Sequence, residues 1–185
     1  MPSDITYGSA VLLAKAYHEE DYEVFNFIAG SVDLGTLVGA TLQLCYTLLH
    51  TAPKGSPKQS KSFDIREEAF DYFSDVLERN TAKVSNFGNL DEVDVITATT
   101  TLVMGTIVPL LEGDYEPYLS VDYEGIDERG FLILLASVSD AALETFQSYV
   151  PMLGAFERLS DNPSYEEAVN ELLRLLPAIA LQIHE

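Results

Sequence analysis

The sequence predicts an all-α fold, a bundle of about seven to eight helices arranged as stacked helical hairpins. Three observations predict it. Apolar residues recur at three- and four-residue spacing through most of the chain. Acidic or serine caps open these periodic stretches, and Gly or Pro stands at most of the breaks. The 185 residues are also 47% hydrophobic despite a formal net charge of −20, so the acidity is not that of a disordered chain. Length fits one domain over 1–185, and such a domain buries roughly 70% of its unfolded surface.

Ser3 or Asp4 caps a first helix to about Tyr17, with Tyr7, Val11 and Ala14 inward and Leu12 beside them. After the turn Glu19-Glu20-Asp21, Tyr22 to Ala29 reads as a short helix with Phe25, Ile28 and Val32 on one side. Asp33 caps a third helix, whose stripe is Leu34, Leu37, Val38, Thr41, Leu42, Cys45, Leu48 and Leu49. Gly35 and Gly39, one turn apart, read as a close helix contact. Pro53 to Ser62, with two prolines, a glycine and three lysines, reads as a flexible surface linker.

Asp64 and Glu67 form a capping box for a fourth helix to about Arg79, burying Ala69, Phe70, Phe73, Val76 and Leu77. Asn80 to Asn89 reads as irregular. Asp91 and Asp94 open a fifth helix through Val108, broken at Pro109 and ended by Gly113. Its β-branched content would suit a strand, but its length and the stripe Val93, Ile96, Thr100, Val103, Ile107 favour helix. Asp127 starts a sixth helix with Phe131, Leu134, Leu135 and Val138, running to Tyr149. Ser164 and Glu167 cap the last, which buries Val169, Leu172, Leu173, Leu176, Ala180 and Ile183 and bends at Pro177.

Two charge-free stretches, Leu34 to Pro53 and Val95 to Leu111, read as core helices rather than membrane spans. The first carries Thr36, Thr41, Gln43, Thr47, His50 and Thr51, and the second carries Gly105, Pro109 and several threonines.

Asp21-Tyr22-Glu23 recurs as Asp114-Tyr115-Glu116, and the match extends from Glu20–Phe25 to Gly113–Tyr118. Apolar helices flank both copies. The expectation is an internal duplication, units 3–52 and 91–150, disposed around the fourth helix. The layout is tetratricopeptide-like in outline only. The signature Trp, Leu-Gly and Pro positions are absent, so no family is assigned.

The charge sets the function classes. With 30 acidic against 10 basic side chains, direct binding to nucleic acid or an anionic membrane is not expected, because both need Lys and Arg against phosphate. One cysteine allows no internal disulfide or thiolate zinc site, and no basic-apolar leader opens the chain, so the expected setting is cytoplasmic. Cys45, mid-stripe, reads as an inert core thiol. His18, beside Glu19, Glu20 and Glu23, reads as a surface histidine among acids. No calcium loop, His-metal spacing or phosphate loop is found, so neither cofactor nor metal is expected, and no catalytic residue is assigned.

What remains is a recognition surface of carboxylates and tyrosines at the two turns: Asp21, Tyr22, Glu23, then Glu112, Asp114, Tyr115, Glu116, Tyr118, Asp122, Tyr123 and Glu124. Tyrosine supplies rigid contact area and carboxylates steer a basic partner. The favoured reading is a non-enzymatic acidic interaction module, a regulator or inhibitor of a basic protein. The alternatives are a nucleic-acid-mimicking decoy of a phage or defence system, and a helical-bundle enzyme or ligand-binding protein without a local motif. Halophilic adaptation would explain the charge without any partner.

Overall fold

A computed structural model describes residues 4–51, 65–88, 91–114, 116, 128–149 and 163–183. Among them the fold is all-α, without strands. The helices are α1 (Asp4–His18), α2 (Tyr22–Ser31), α3 (Leu34–Thr51), α4 (Ile65–Arg79) and α5 (Thr81–Gly88). Next comes α6, α-helical over Glu92–Leu102, π-helical over Val103–Ile107 and α-helical again over Val108–Leu111. The last two are α7 (Glu128–Tyr149) and α8 (Tyr165–Ile183). The linker expected over 53–62 lies outside the described residues.

A helix that is apolar on all sides has to sit inside the others. That helix is α7, in which every residue from Leu132 to Leu143 is buried. It packs against α1, α3, α4, α5, α6 and α8, so the bundle gathers round α7 rather than round the fourth helix. Ala136, Ala141 and Ala142 keep its girth small. Ser139 and Thr145 turn their hydroxyls back onto the carbonyls of Leu135 and Ala141, each at 2.8 Å, so these polar groups cost little inside the core. The window Arg129–Ser148 is long and apolar enough to cross a membrane, and 83% of it is buried inside the fold.

The core has two lobes on α7. One joins α1, α3, α4, α6 and α8 through Tyr7, Leu48, Phe73, Ile107, Phe146 and Leu172. The other joins α1, α2 and α5 through Tyr17, Phe25, Val84 and Phe87. The caps foreseen at Asp33 and at Ser164 with Glu167 are in place, and Asp21, read as a turn residue, is a further one. Asp21 Oδ1 accepts the Val24 N–H at 3.1 Å, and Asp33 Oδ2 accepts the Thr36 N–H at 3.1 Å. Ser164 and Glu167 close a reciprocal capping box at 3.2 and 3.3 Å.

Two expectations are corrected. Residues 81–88 are helical, not irregular. So short a helix does not stand alone in water; Phe87 holds it by meeting the rings of Tyr17 at 5.2 Å, Tyr22 at 4.5 Å and Phe25 at 5.3 Å. Pro109 does not break the fifth predicted helix. A proline ring inside a helix strikes the carbonyl four residues back and leaves it no N–H partner. Here that carbonyl belongs to Gly105, and the turn containing it is widened to π geometry, with the Val108 N–H bonded to the Val103 carbonyl. The helix then continues to Leu111 and ends, as expected, at Gly113, with φ +90°.

Candidate functional site

The first predicted turn is built on a helix end. The Asp21 N–H reaches the Ala16 carbonyl at 2.9 Å and the Glu20 N–H reaches that of Tyr17 at 3.2 Å, a Schellman end to α1. Glu20 stands in its left-handed position at φ 57°. Asp21 caps α2, and Glu23 is exposed in its first turn. Tyr22 lies over Phe87 yet keeps 47% of its surface open, beside Val24 at 43% and Phe27 at 73%. This short helix therefore buries Phe25 and Ile28 and leaves three large apolar residues open to solvent, Val24 and Phe27 side by side and Tyr22 on the opposite flank from Val24.

The second turn repeats the helix end. The Asp114 N–H reaches the Pro109 carbonyl at 2.8 Å, with Gly113 in the left-handed position that Glu20 occupies in the first. Asp114 Oδ1 accepts the Glu116 N–H at 3.1 Å. Glu112, Asp114 and Glu116 are exposed. Tyr115, Tyr118, Asp122, Tyr123 and Glu124 lie outside the described residues. The two turns are anchored separately, since α2 rests on α1 and the end of α6 on α3.

A polar cluster that the sequence reading missed joins α1, α5, α7 and α8. His18 Nδ1 lies 3.1 and 3.3 Å from the two carboxylate oxygens of Asp140, which is buried in the middle of α7. The His18 ring stacks on Tyr165 with centroids 3.8 Å apart. Lys83 Nζ donates to the His18 carbonyl at 3.0 Å and sits 4.6 Å from the centre of the Tyr17 ring. The partner of His18 is thus Asp140, distant in sequence, and not the neighbouring glutamates.

The electrostatics follow from this geometry. The bond to Asp140 raises the pKa of His18 against the opposing effect of burial. Burial, then the nearby Asp140, raises that of Glu144 one turn further along α7. Burial also pushes the phenols of Tyr17 and Tyr165 up. The enclosed hydroxyl of Tyr17 interacts with Ser137, and that of Tyr165 with Asp140. Asp140 engages Nδ1, so Nε2 is the atom left to titrate, on a side chain one-third exposed. The cluster acts as a clamp between α1 and α7 that tightens when His18 is protonated. A signal for it was legible: Asp140 is the first ionisable residue after ten uncharged ones from Gly130 to Ser139, and a buried acid needs a partner.

Cys45 is fully buried, with Sγ 3.4 Å from Ser139 Oγ, and burial pushes its thiol up to about 12. It is inert as a nucleophile, as read from its place in the stripe. Among the described residues no group of three His, Cys, Asp or Glu side chains is placed to hold a metal ion.

A cleft of about 550 Å³ opens between α4 and α6. Phe70, Leu77 and Val103 give it an apolar lining, with Ser74, Thr99 and Thr100 adding hydroxyls. Ile96 and Met104, 50% and 59% exposed, also line it, and Glu78 is its charged lining residue. Compared with known proteins, the chain matches no family model, no curated protein and no solved structure.

Proposed function

We propose that this protein is a non-enzymatic, acidic helical interaction module of the cytoplasm that binds a basic partner protein through the outward face of α2. The observation that carries this reading is the exposure of Tyr22, Val24 and Phe27 on one short helix, with Glu19, Glu20 and Glu23 also exposed around them. Apolar side chains at that exposure gain most by being covered. The carboxylates around them favour a partner carrying Lys or Arg beside an apolar contact, and the net charge of −20 steers it in.

The test is capture from the native host at low salt by the wild-type protein and by two exposed-surface variants, Phe27→Ser and a triple Glu19/Glu20/Glu23→Gln. The expected result is a basic protein retained by wild type, lost on Phe27→Ser and weakened by the triple variant. Equal retention by Phe27→Ser would remove α2 from the reading.

One observation favours a second reading. Asp71, Asp75 and Glu78 are all exposed on α4 at intervals of four and three residues, which sets successive carboxylates about 5–6 Å apart along one side of a helix. Such a row suits a decoy that occupies a nucleic-acid-binding groove. Displacement of the captured partner by double-stranded DNA would favour the decoy. A complex that DNA leaves intact would favour the α2 module.

A further inference from the structure

We infer that the cleft between α4 and α6 is a binding site for a small amphiphilic cation, an apolar body carrying an amine. Its volume of about 550 Å³ lies within the range of small-ligand pockets. The chemistry of the wall then selects the ligand. Phe70, Leu77 and Val103 suit an aliphatic or aromatic body. Met104 suits a body of variable shape, because an unbranched thioether adapts its rotamers to what it meets. Glu78 stands at the wall as an exposed carboxylate, and among the described residues no Lys or Arg lines the cleft.

A fatty acid or a nucleotide would meet repulsion from Glu78 and from a field of net charge −20, whereas an amine is drawn in by both. Val103 and Met104 of this wall are the first two residues of the π-helical turn that accommodates Pro109. The cleft is separate from the α2 face and requires no partner protein.

The chain has three methionines, Met1, Met104 and Met152, so methyl-labelled methionine gives three signals, of which that of Met104 reports on the cleft. The full chain is titrated with octylammonium, octanol and octanoate, which share a tail and differ in head charge. The expected result is a saturable shift of the Met104 methyl, with octylammonium bound about fivefold more tightly than octanoate and octanol between them. At about 0.15 M salt, which screens the long-range field of the other acids, Glu78→Gln, at an exposed position, should leave octanol binding unchanged and remove the preference for the amine. Ser74→Phe should fill the cleft and abolish all three titrations, with retention of the fold checked by its melting curve. A Met104 signal that does not move, shifts of all three methyls without saturation, equal or reversed preference for octanoate, or an amine preference that survives Glu78→Gln would each overturn the site.

Discussion

The turns at Glu20–Glu23 and Gly113–Glu116 close their helices in the same way, but what lies behind them differs. Both place a residue with positive φ after the last helical turn, and both pass the next N–H back to the fifth carbonyl upstream. Behind the first turn stand Phe87, under Tyr22, and Asp140, which holds His18 only two residues before the turn. The described residues of the second, Glu112, Gly113, Asp114 and Glu116, are exposed. The same tripeptide therefore specifies a helix end in both places, while the anchoring of the first comes from α5 and α7, far away in sequence. Local chemistry made the turn, and long-range packing made one of them a platform.

The strongest way to break this contrast is to remove the anchor. Phe87→Ala deletes a buried ring that three aromatic neighbours share, and is expected to cost about 3–5 kcal/mol. Urea unfolding measures the loss. Amide exchange separates the turns, with protection at Asp21–Val24 falling and that at Asp114–Glu116 unchanged.

Next in size is Asp140→Asn, which leaves the buried shape but removes the charge opposite His18. The expected loss is about 1–3 kcal/mol at mildly acidic pH. Its pH dependence has a definite sign. In the folded state His18 titrates above its ordinary 6.5, so its contribution is fully present below 6.5 and lost as pH rises through the folded value. Glu144, also raised by burial, acts in the same direction, because the folded state holds its proton more tightly. Thermal melts should therefore show the wild type more stable at about pH 6 than at about pH 9, with Asp140→Asn flattening that slope. An undiminished slope in the variant would mean that the pair does not control it.

The contrast also explains what the sequence made legible. Caps and periods are local, so the helix starts at Leu34 and at Tyr165 were readable from Asp33 and from Ser164 with Glu167, and that at Tyr22 from the turn before it. The helix at 81–88 was not, because Thr81-Ala82-Lys83-Val84-Ser85-Asn86 has modest propensity and its order derives from Phe87 meeting rings on α1 and α2. Pro109 looked like a stop because the rule against proline assumes α geometry, and the π turn escapes it. At the candidate site the acids and Tyr22 of the first turn were named from the sequence. The apolar half of that surface, Val24 and Phe27, was not, because period alone does not say which side of a short apolar helix faces the core. Asp140 was legible from its apolar run, but its pairing with His18 escaped because that partner is set by tertiary packing.

Smaller effects test whether the two helix ends are one motif. Gly113→Ala places a Cβ at φ +90° and should cost about 1–2 kcal/mol, although no heavy atom lies within 4 Å of the added carbon. A loss of that size in a urea titration, with no space to be filled, would identify the backbone as the cause. Glu20→Gly is the reciprocal change and the smallest. It relieves the left-handed strain of a glutamate at φ 57°, but glycine also loosens the unfolded chain, so about 0.5 kcal/mol of net gain is expected. The gain should persist at high salt, because it arises from the backbone and not from removing one of 30 acids. If it vanished in salt, relief of charge repulsion would be its source, and the correspondence of Glu20 with Gly113 would be one of position without shared strain.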